Sequence, residues 1–192
     1  MKGLFIVLEG IDGSGKGTQT KLLSEYLKKR GRRVLLTSEP SHSVVGAFAR
    51  EQLQHRKMSQ KWMQLLFAAD RQHHVENDIL PALKAGKTVI CDRYSLSSLA
   101  YGSVSLPLSW LKKLNHTFPR PDLTIILDVP AEVGLKRVRG QRRSLELYER
   151  KNLLAKVRRN YLALAKGDIK VVDASGSKKE TFAAIKMIVD KL

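Results

Sequence analysis

Leu4-Phe5-Ile6-Val7-Leu8-Glu9-Gly10-Ile11-Asp12-Gly13-Ser14-Gly15-Lys16-Gly17-Thr18 passes from an apolar run into a glycine-rich loop and then into a helical pattern. That order is the context a phosphate-binding loop requires. Glycines let the backbone bend around phosphate oxygens, and successive N–H groups point inward as an anion nest. The following helix adds the positive end of its dipole, and Lys16 can reach β- and γ-phosphates. The competing reading, a chance glycine-rich turn, does not account for the flanking strand and helix. The candidate triphosphate site therefore comprises Gly10, Ile11, Asp12, Gly13, Ser14, Gly15, Lys16, Gly17 and Thr18. Gly17 stands where a magnesium-binding hydroxyl usually follows the lysine, and Thr18 comes one place later. A metal ion would then be held through water or by carboxylates elsewhere.

Outward from this loop, short apolar runs alternate with helical patterns, the sequence form of βαβ units and a parallel sheet. Strands are expected at residues 4–8, 34–37, 88–91, 123–129 and 170–172. Their near-continuous apolar character suits strands buried on both faces. Helices are expected at 18–29, 60–85, 131–139, 144–166 and 179–191, with Ser59 as an N-cap and a kink or break near Pro81. The fold class is α/β, a five-stranded parallel sheet with helices on both faces. No linker or repeat divides the chain, so one domain over 1–192 is expected.

The chain has 192 residues and 43% hydrophobic side chains, enough for one core. The formal charge of +17 attracts polyanions such as nucleic acids, acidic membranes or nucleotides, or else serves as a solvated basic surface. Cys91 is the single cysteine, so neither an internal disulfide nor a paired-cysteine zinc site can form, which fits a reducing compartment. No apolar stretch has the length of a membrane span or signal peptide, and the expectation is a cytoplasmic protein. His73 and His74 are adjacent, point in different directions on a helix, and read as surface or packing residues.

Asp92-Arg93-Tyr94 follows the third expected strand. Ligands in open α/β sheets bind beyond the carboxyl ends of strands, so this segment and the Lys16 loop fall on one edge if the strands are parallel. Arg93 can fork onto a phosphate, and Asp92 can anchor metal-bound water or orient Arg93. In isolation, a salt bridge capping a strand end explains the pair equally well.

The Gly-Lys-Gly-Thr loop is similar to those of adenylate and UMP/CMP kinases. Leu8-Glu9-Gly10-Ile11-Asp12-Gly13, Ser38-Glu39-Pro40, Leu66-Phe67-Ala68-Ala69-Asp70-Arg71, Asp92-Arg93-Tyr94, Ser97-Ser98-Leu99-Ala100-Tyr101, Pro121-Asp122-Leu123-Thr124 and Val172-Asp173-Ala174-Ser175 resemble, in order, segments of the thymidylate kinase family of P-loop nucleoside monophosphate kinases. The resemblance implies ATP and Mg²⁺ as cofactors, dTMP as acceptor and a homodimer. It implies that Phe67 stacks on the thymine ring and Arg71 contacts its edge. Residues four apart share a helix face, which suits that division, although Phe67 alone reads as core packing. Arg93 and Arg50 resemble acceptor-site arginines, and Glu39 belongs to the same substrate set. Tyr101 resembles the tyrosine below the sugar, Ser98 a small polar group near the base, and Asp12 the loop carboxylate beside the acceptor phosphate. Ala174 falls in the adenine-binding turn. Gly102 departs from the glutamine many members carry there, which leaves discrimination among pyrimidines open.

Some members carry a catalytic arginine in the phosphate loop, at the place of Gly13. Others resemble this chain, with arginines in a mobile lid. Arg139-Gly140-Gln141-Arg142-Arg143 fits such a basic lid near 137–147, with Arg139, Arg142 and Arg143 as catalytic candidates; a solvated basic loop or a nucleic-acid patch is the alternative. The implied reaction is in-line transfer of a γ-phosphoryl group to dTMP, which needs positioning and charge neutralisation rather than a strong base. The alternatives are a kinase for AMP, UMP or CMP and a nucleic-acid-dependent ATPase. The sequence lacks an aromatic-studded nucleic-acid-binding sheet or a recognition-helix motif, so no stable nucleic-acid partner is expected.

Overall fold

The computed structural model describes residues 3–55, 58–138 and 145–192, the side chains of 145–150 excepted. The strands are β1 (Leu4–Glu9), β2 (Val34–Ser38), β3 (Thr88–Asp92), β4 (Leu123–Asp128) and β5 (Ile169–Asp173). They form one all-parallel sheet in the order β2-β3-β1-β4-β5. β1 is central and buried on both sides. Ile6 and Leu8 enter a cluster with Leu23, Leu27, Val157 and Ile185, while Phe5 and Val7 enter another with Val75, Ile79 and Ala82. This two-sided burial is why the strand runs apolar without alternation. The expected strands all form, with ends displaced by a residue or two.

The helices are α1 (Lys16–Lys29), α2 (Val44–His55), α3 (Gln60–His74), α4 (Leu80–Lys84), α5 (Ser95–Gly102), α6 (Leu108–Asn115), α7 (Ala131–Val138), α8 (Leu145–Leu164) and α9 (Lys178–Val189). The helix expected over 60–85, with a kink or break near Pro81, forms as α3, a π-helical turn at Val75–Ile79, and α4. Ser59 caps α3 through the Trp62 N–H. The widened turn ends at Ile79, two positions before Pro81, whose missing N–H and bulky ring conflict with the carbonyl four residues back. α2, α5 and α6 lie where sequence pattern predicts no helix. α2 draws support from outside itself. Ser43 Oγ accepts the Gly46 N–H at 3.0 Å, and Asp70 of α3 accepts from Ser43 Oγ at 2.9 Å. Among the described residues, no helix is long and apolar enough to cross a membrane.

Strand register places Leu8 opposite Asp92, and Ser38 opposite the same Asp92. The loops after β1, β2 and β3 therefore leave the sheet side by side, where the strand order reverses around β1.

Candidate active site

The loop after β1 bends through Gly10, Gly13 and Gly15 at φ values of 141°, 79° and 93°. Gly13 packs directly on the backbone of Gly134 in α7, with no room for a Cβ. That contact leaves no space for a side chain at this position of the loop. Gly15 precedes α1 in a left-handed conformation, and no side chain caps the helix, so its positive end faces the loop. Lys16 is buried, and its Nζ donates to the carbonyls of Gly10 and Ile11, each at 3.0 Å. Burial and the Arg93 charge pull its pKa down to about 8, against the opposing pull of Asp92, Asp12 and Glu9.

Arg93 leans over the same loop. Its guanidinium meets Asp12 Oδ1 at 2.6 Å, Gly10 O at 3.3 Å, Ser97 Oγ at 3.2 Å and the Tyr101 hydroxyl at 3.5 Å. It also lies 5.2 Å from the Tyr101 ring centre. Arg93 forms its ion pair with Asp12 of the loop after β1, where the alternative reading had a salt bridge within Asp92-Arg93. Burial raises the Asp92 pKa, opposed by Lys16 and Arg93. Asp12, Gly13, Gly15, Lys16, Asp92 and Arg93 share a cavity of about 780 Å³.

A second group lies between α3 and α5. Arg71 is only 2% exposed and is held by side chains from three other segments. Its Nε and Nη2 reach Glu39 Oε2 at 2.8 and 2.7 Å, Nη2 also reaches Ser98 Oγ at 3.3 Å, and Nη1 donates to Asn115 Oδ1. Tyr94 and Phe118 flank its guanidinium at 5.1 and 5.4 Å. Glu39 also meets His74 Nδ1 at 3.2 Å, and the other ring nitrogen of His74 meets Thr37 Oγ1 at 2.7 Å. Of the histidine pair, His73 is thus exposed and His74 is a packing residue. Phe67 is half-buried and, among the described residues, joins neither core cluster, unlike the packing alternative. Arg50 of α2 donates to Pro40 O at 2.8 Å, holding the chain after Glu39. Gly102 is close-packed: a Cβ there would meet Leu111 Cδ2 at 2.8 Å and Gln64 Cδ at 3.1 Å. A side chain at this position would have to displace the ends of Leu111 and Gln64.

On the opposite flank, the Ala174 N–H donates to Asp128 O at 2.8 Å. Arg137 of α7 donates to the carbonyls of Ala174, Ser175 and Gly176 at 2.8, 3.0 and 3.1 Å, clamping the turn before α9. Arg158 of α8 grips Asp128 in bidentate fashion at 2.7 and 2.8 Å. Arg139, Arg142 and Arg143 lie outside the described residues.

Sequence reading did not single out Asn115, Asp70, Arg137 as a clamp, or Glu9. Only Glu9 carries a local signal, an acidic residue closing an apolar strand.

A profile described as thymidylate kinase matches residues 8–185. The chain is 46% identical to the probable thymidylate kinase of Pyrococcus horikoshii and 44% identical to that of Pyrococcus abyssi, in each case over 98% of this chain and 97% of the relative. It is 39% identical to the thymidylate kinase of Symbiobacterium thermophilum, over 98% of this chain and 94% of that protein. With the phosphate loop, the Arg93 segment and this near full-length similarity in agreement, the chain belongs to the thymidylate kinase family.

Proposed function

We propose that this protein transfers the γ-phosphoryl group of ATP to dTMP by in-line displacement, as a single cytoplasmic domain with a basic lid near 137–147. The observation that carries the reading is the shared cavity: the Lys16 loop and Arg93 line one space, with Arg93 Nη1 3.3 Å from Gly10 O. Lys16 and the loop amides would cradle the donor phosphates. Arg93, steadied by Asp12, would hold the acceptor phosphate in line. Phe67, Arg71, Ser98 and Tyr101 would form the nucleoside side of the acceptor site, with Glu39 and Arg50 fixing its wall. Ala174 would border the donor base, and Arg139, Arg142 and Arg143 would neutralise charge on the transferring group. The acceptor phosphate has a second pKa near 6, is mostly dianionic at neutral pH and needs no strong base.

The residues present fit Mg²⁺. Asp92 Oδ1 is buried without a hydrogen-bond partner. Gly17 lies directly beside this carboxylate, since an added Cβ would come into van der Waals contact with Asp92 Oδ2 at 3.5 Å. A single carboxylate with waters and substrate phosphates is a common way to hold this ion. Asp92 would hold it through water, and the bound ion would supply charge neutralisation on the phosphates.

A homodimer is part of the proposal. Val44 and Trp62 are 88% and 63% exposed, and with Phe48, Leu53 and Leu65 they leave an apolar surface on the packed pair α2 and α3. Sedimentation analysis tests it, a monomer at working concentration being the contrary result. For the reaction, a panel of monophosphates in an ADP-release assay is expected to give dTMP the highest kcat/KM, with dUMP weaker. A preference for AMP or CMP rejects the substrate assignment, and ATP turnover that requires DNA or RNA supports the nucleic-acid alternative. Lys16→Ala should abolish turnover while leaving the protein folded.

A further inference from the structure

Beneath Arg93 lies a charged group that none of these roles uses. Glu9, the last residue of β1, is fully buried and takes four hydrogen bonds. Its Oε1 accepts from the N–H groups of Tyr94 at 2.8 Å and Ser97 at 3.1 Å. Its Oε2 accepts from the Ser97 hydroxyl at 2.6 Å and the Tyr161 hydroxyl at 2.9 Å. Ser97 Oγ in turn accepts from Arg93 Nη1 at 3.2 Å and lies 2.9 Å from the Tyr161 oxygen.

Among the described residues, Arg93 is the non-glycine residue with a positive φ, 70°. A left-handed conformation in a residue with a long side chain persists only where the surroundings over-determine it. Here the Arg93 N–H is tied to Leu8 O at 3.0 Å, and the next amide, that of Tyr94, is tied to Glu9. The carboxylate therefore fixes both the backbone turn and, through Ser97, the guanidinium. Tyr161 belongs to α8, the helix that follows the basic segment 139–144, so that helix reaches Arg93 through two hydroxyls, those of Tyr161 and Ser97.

We propose that Glu9 and Tyr161 are positioning residues for Arg93, holding its guanidinium in the orientation that grips the acceptor phosphate; this rests on the acceptor role given to Arg93 above. The ionised form of Glu9 is the one that accepts all four bonds. Burial raises its proton affinity, while Ser97, the Arg93 charge, Tyr161 and the Tyr94 amide oppose that rise. The other titratable groups that sense its charge are Lys16 and Cys91. Burial lifts the Tyr161 pKa well above the usual tyrosine range, so the residue stays an O–H donor.

The test compares Tyr161→Phe, Glu9→Gln and Arg93→Ala with the parent protein. ATP and dTMP are varied separately across pH 5.5–9, and thermal midpoints are measured. Tyr161→Phe keeps the ring in the core and removes only the hydroxyl. Its kcat/KM for dTMP should fall by about tenfold, the lower end of what one hydrogen bond to a charged group is worth, with the KM for ATP unchanged. The acid limb of its dTMP profile should move to higher pH, because Glu9 loses a donor that favours its charged form. The phosphate of dTMP contributes to that limb equally in both proteins, so the displacement between them is the diagnostic. Glu9→Gln should lower kcat/KM for dTMP further, and adding Tyr161→Phe to it should move the limb no more. Should Glu9→Gln fail to fold, Tyr161→Phe alone decides. An unchanged dTMP profile in Tyr161→Phe overturns the proposal, as does a parallel loss of ATP and dTMP parameters with a lowered midpoint. If Arg93→Ala leaves dTMP kinetics intact, the acceptor role of Arg93 fails; if only Arg93→Ala affects them, the positioning role fails by itself.

Discussion

Replacing Gly13 by alanine should destabilise the protein and weaken ATP binding together. Gly13 has a φ of 79°, a left-handed conformation that costs a residue bearing a Cβ roughly 1–2 kcal/mol. An added Cβ would lie 2.6 Å from the Gly134 carbonyl carbon and 2.8 Å from its Cα. Both atoms are backbone, so either the phosphate loop or α7 must move, and overpacking of this kind costs about 1–3 kcal/mol. The sum is about 2–5 kcal/mol. For a domain of this size each kcal/mol is worth about 2–4 °C, so the thermal midpoint should drop by roughly 10 °C. Movement of the loop should raise the KM for ATP more than the KM for dTMP. Gly134→Ala strikes the same contact from the other side, since its Cβ would meet Asp12 O at 2.5 Å. The double variant should therefore cost less than the sum of the singles. Installing the arginine that other family members carry, by Gly13→Arg, should reduce activity rather than enhance it. Differential scanning calorimetry and steady-state kinetics measure these effects. A Gly13→Ala protein that keeps both its midpoint and its KM for ATP would refute the argument.

Other expectations concern charge and packing. Burial and Arg93 bring the Lys16 pKa down to about 8 in the free protein, and bound phosphates favour its charged form, so kcat/KM for ATP should fall as pH rises through about 8; a flat profile to pH 9.5 contradicts this. Asp92→Asn should raise the Mg²⁺ concentration for half-maximal rate by about tenfold and weaken Mn²⁺ binding to the nucleotide complex measured by electron paramagnetic resonance; unchanged metal dependence removes Asp92 from the site. Gly102→Gln should destabilise by about 1–3 kcal/mol in urea titrations, because its Cβ meets Leu111 and Gln64; an unaltered midpoint shows that the position is open.

Residues whose function is local were legible in the sequence. The 10–18 loop announces itself through glycine spacing between an apolar strand and a helix, and the fold carries it out with three glycines at positive φ. The strands were legible because burial on both faces requires unbroken apolar runs. The helices after β3 were not. α5 opens with Ser95-Leu96-Ser97-Ser98, too rich in hydroxyls to look helical, yet Glu9 accepts the Ser97 N–H at its start. The bend before Pro81 was legible as an interruption, but its form as a π-helical turn was not.

What the sequence alone determined is the donor loop, the parallel α/β plan and the family, because each is written in residues close together or in an ordered series of short segments. Tertiary structure decided which distant groups meet. Arg93 pairs with Asp12 across 81 positions, and Tyr161 reaches Glu9 across 152. Gly13 owes its identity to Gly134, and Arg71 owes its orientation to Glu39, Ser98 and Asn115 on three other segments. Hydrogen bonding and steric exclusion act over a few ångströms of space, and chain position does not encode that proximity until the sheet has brought its strand ends to one edge.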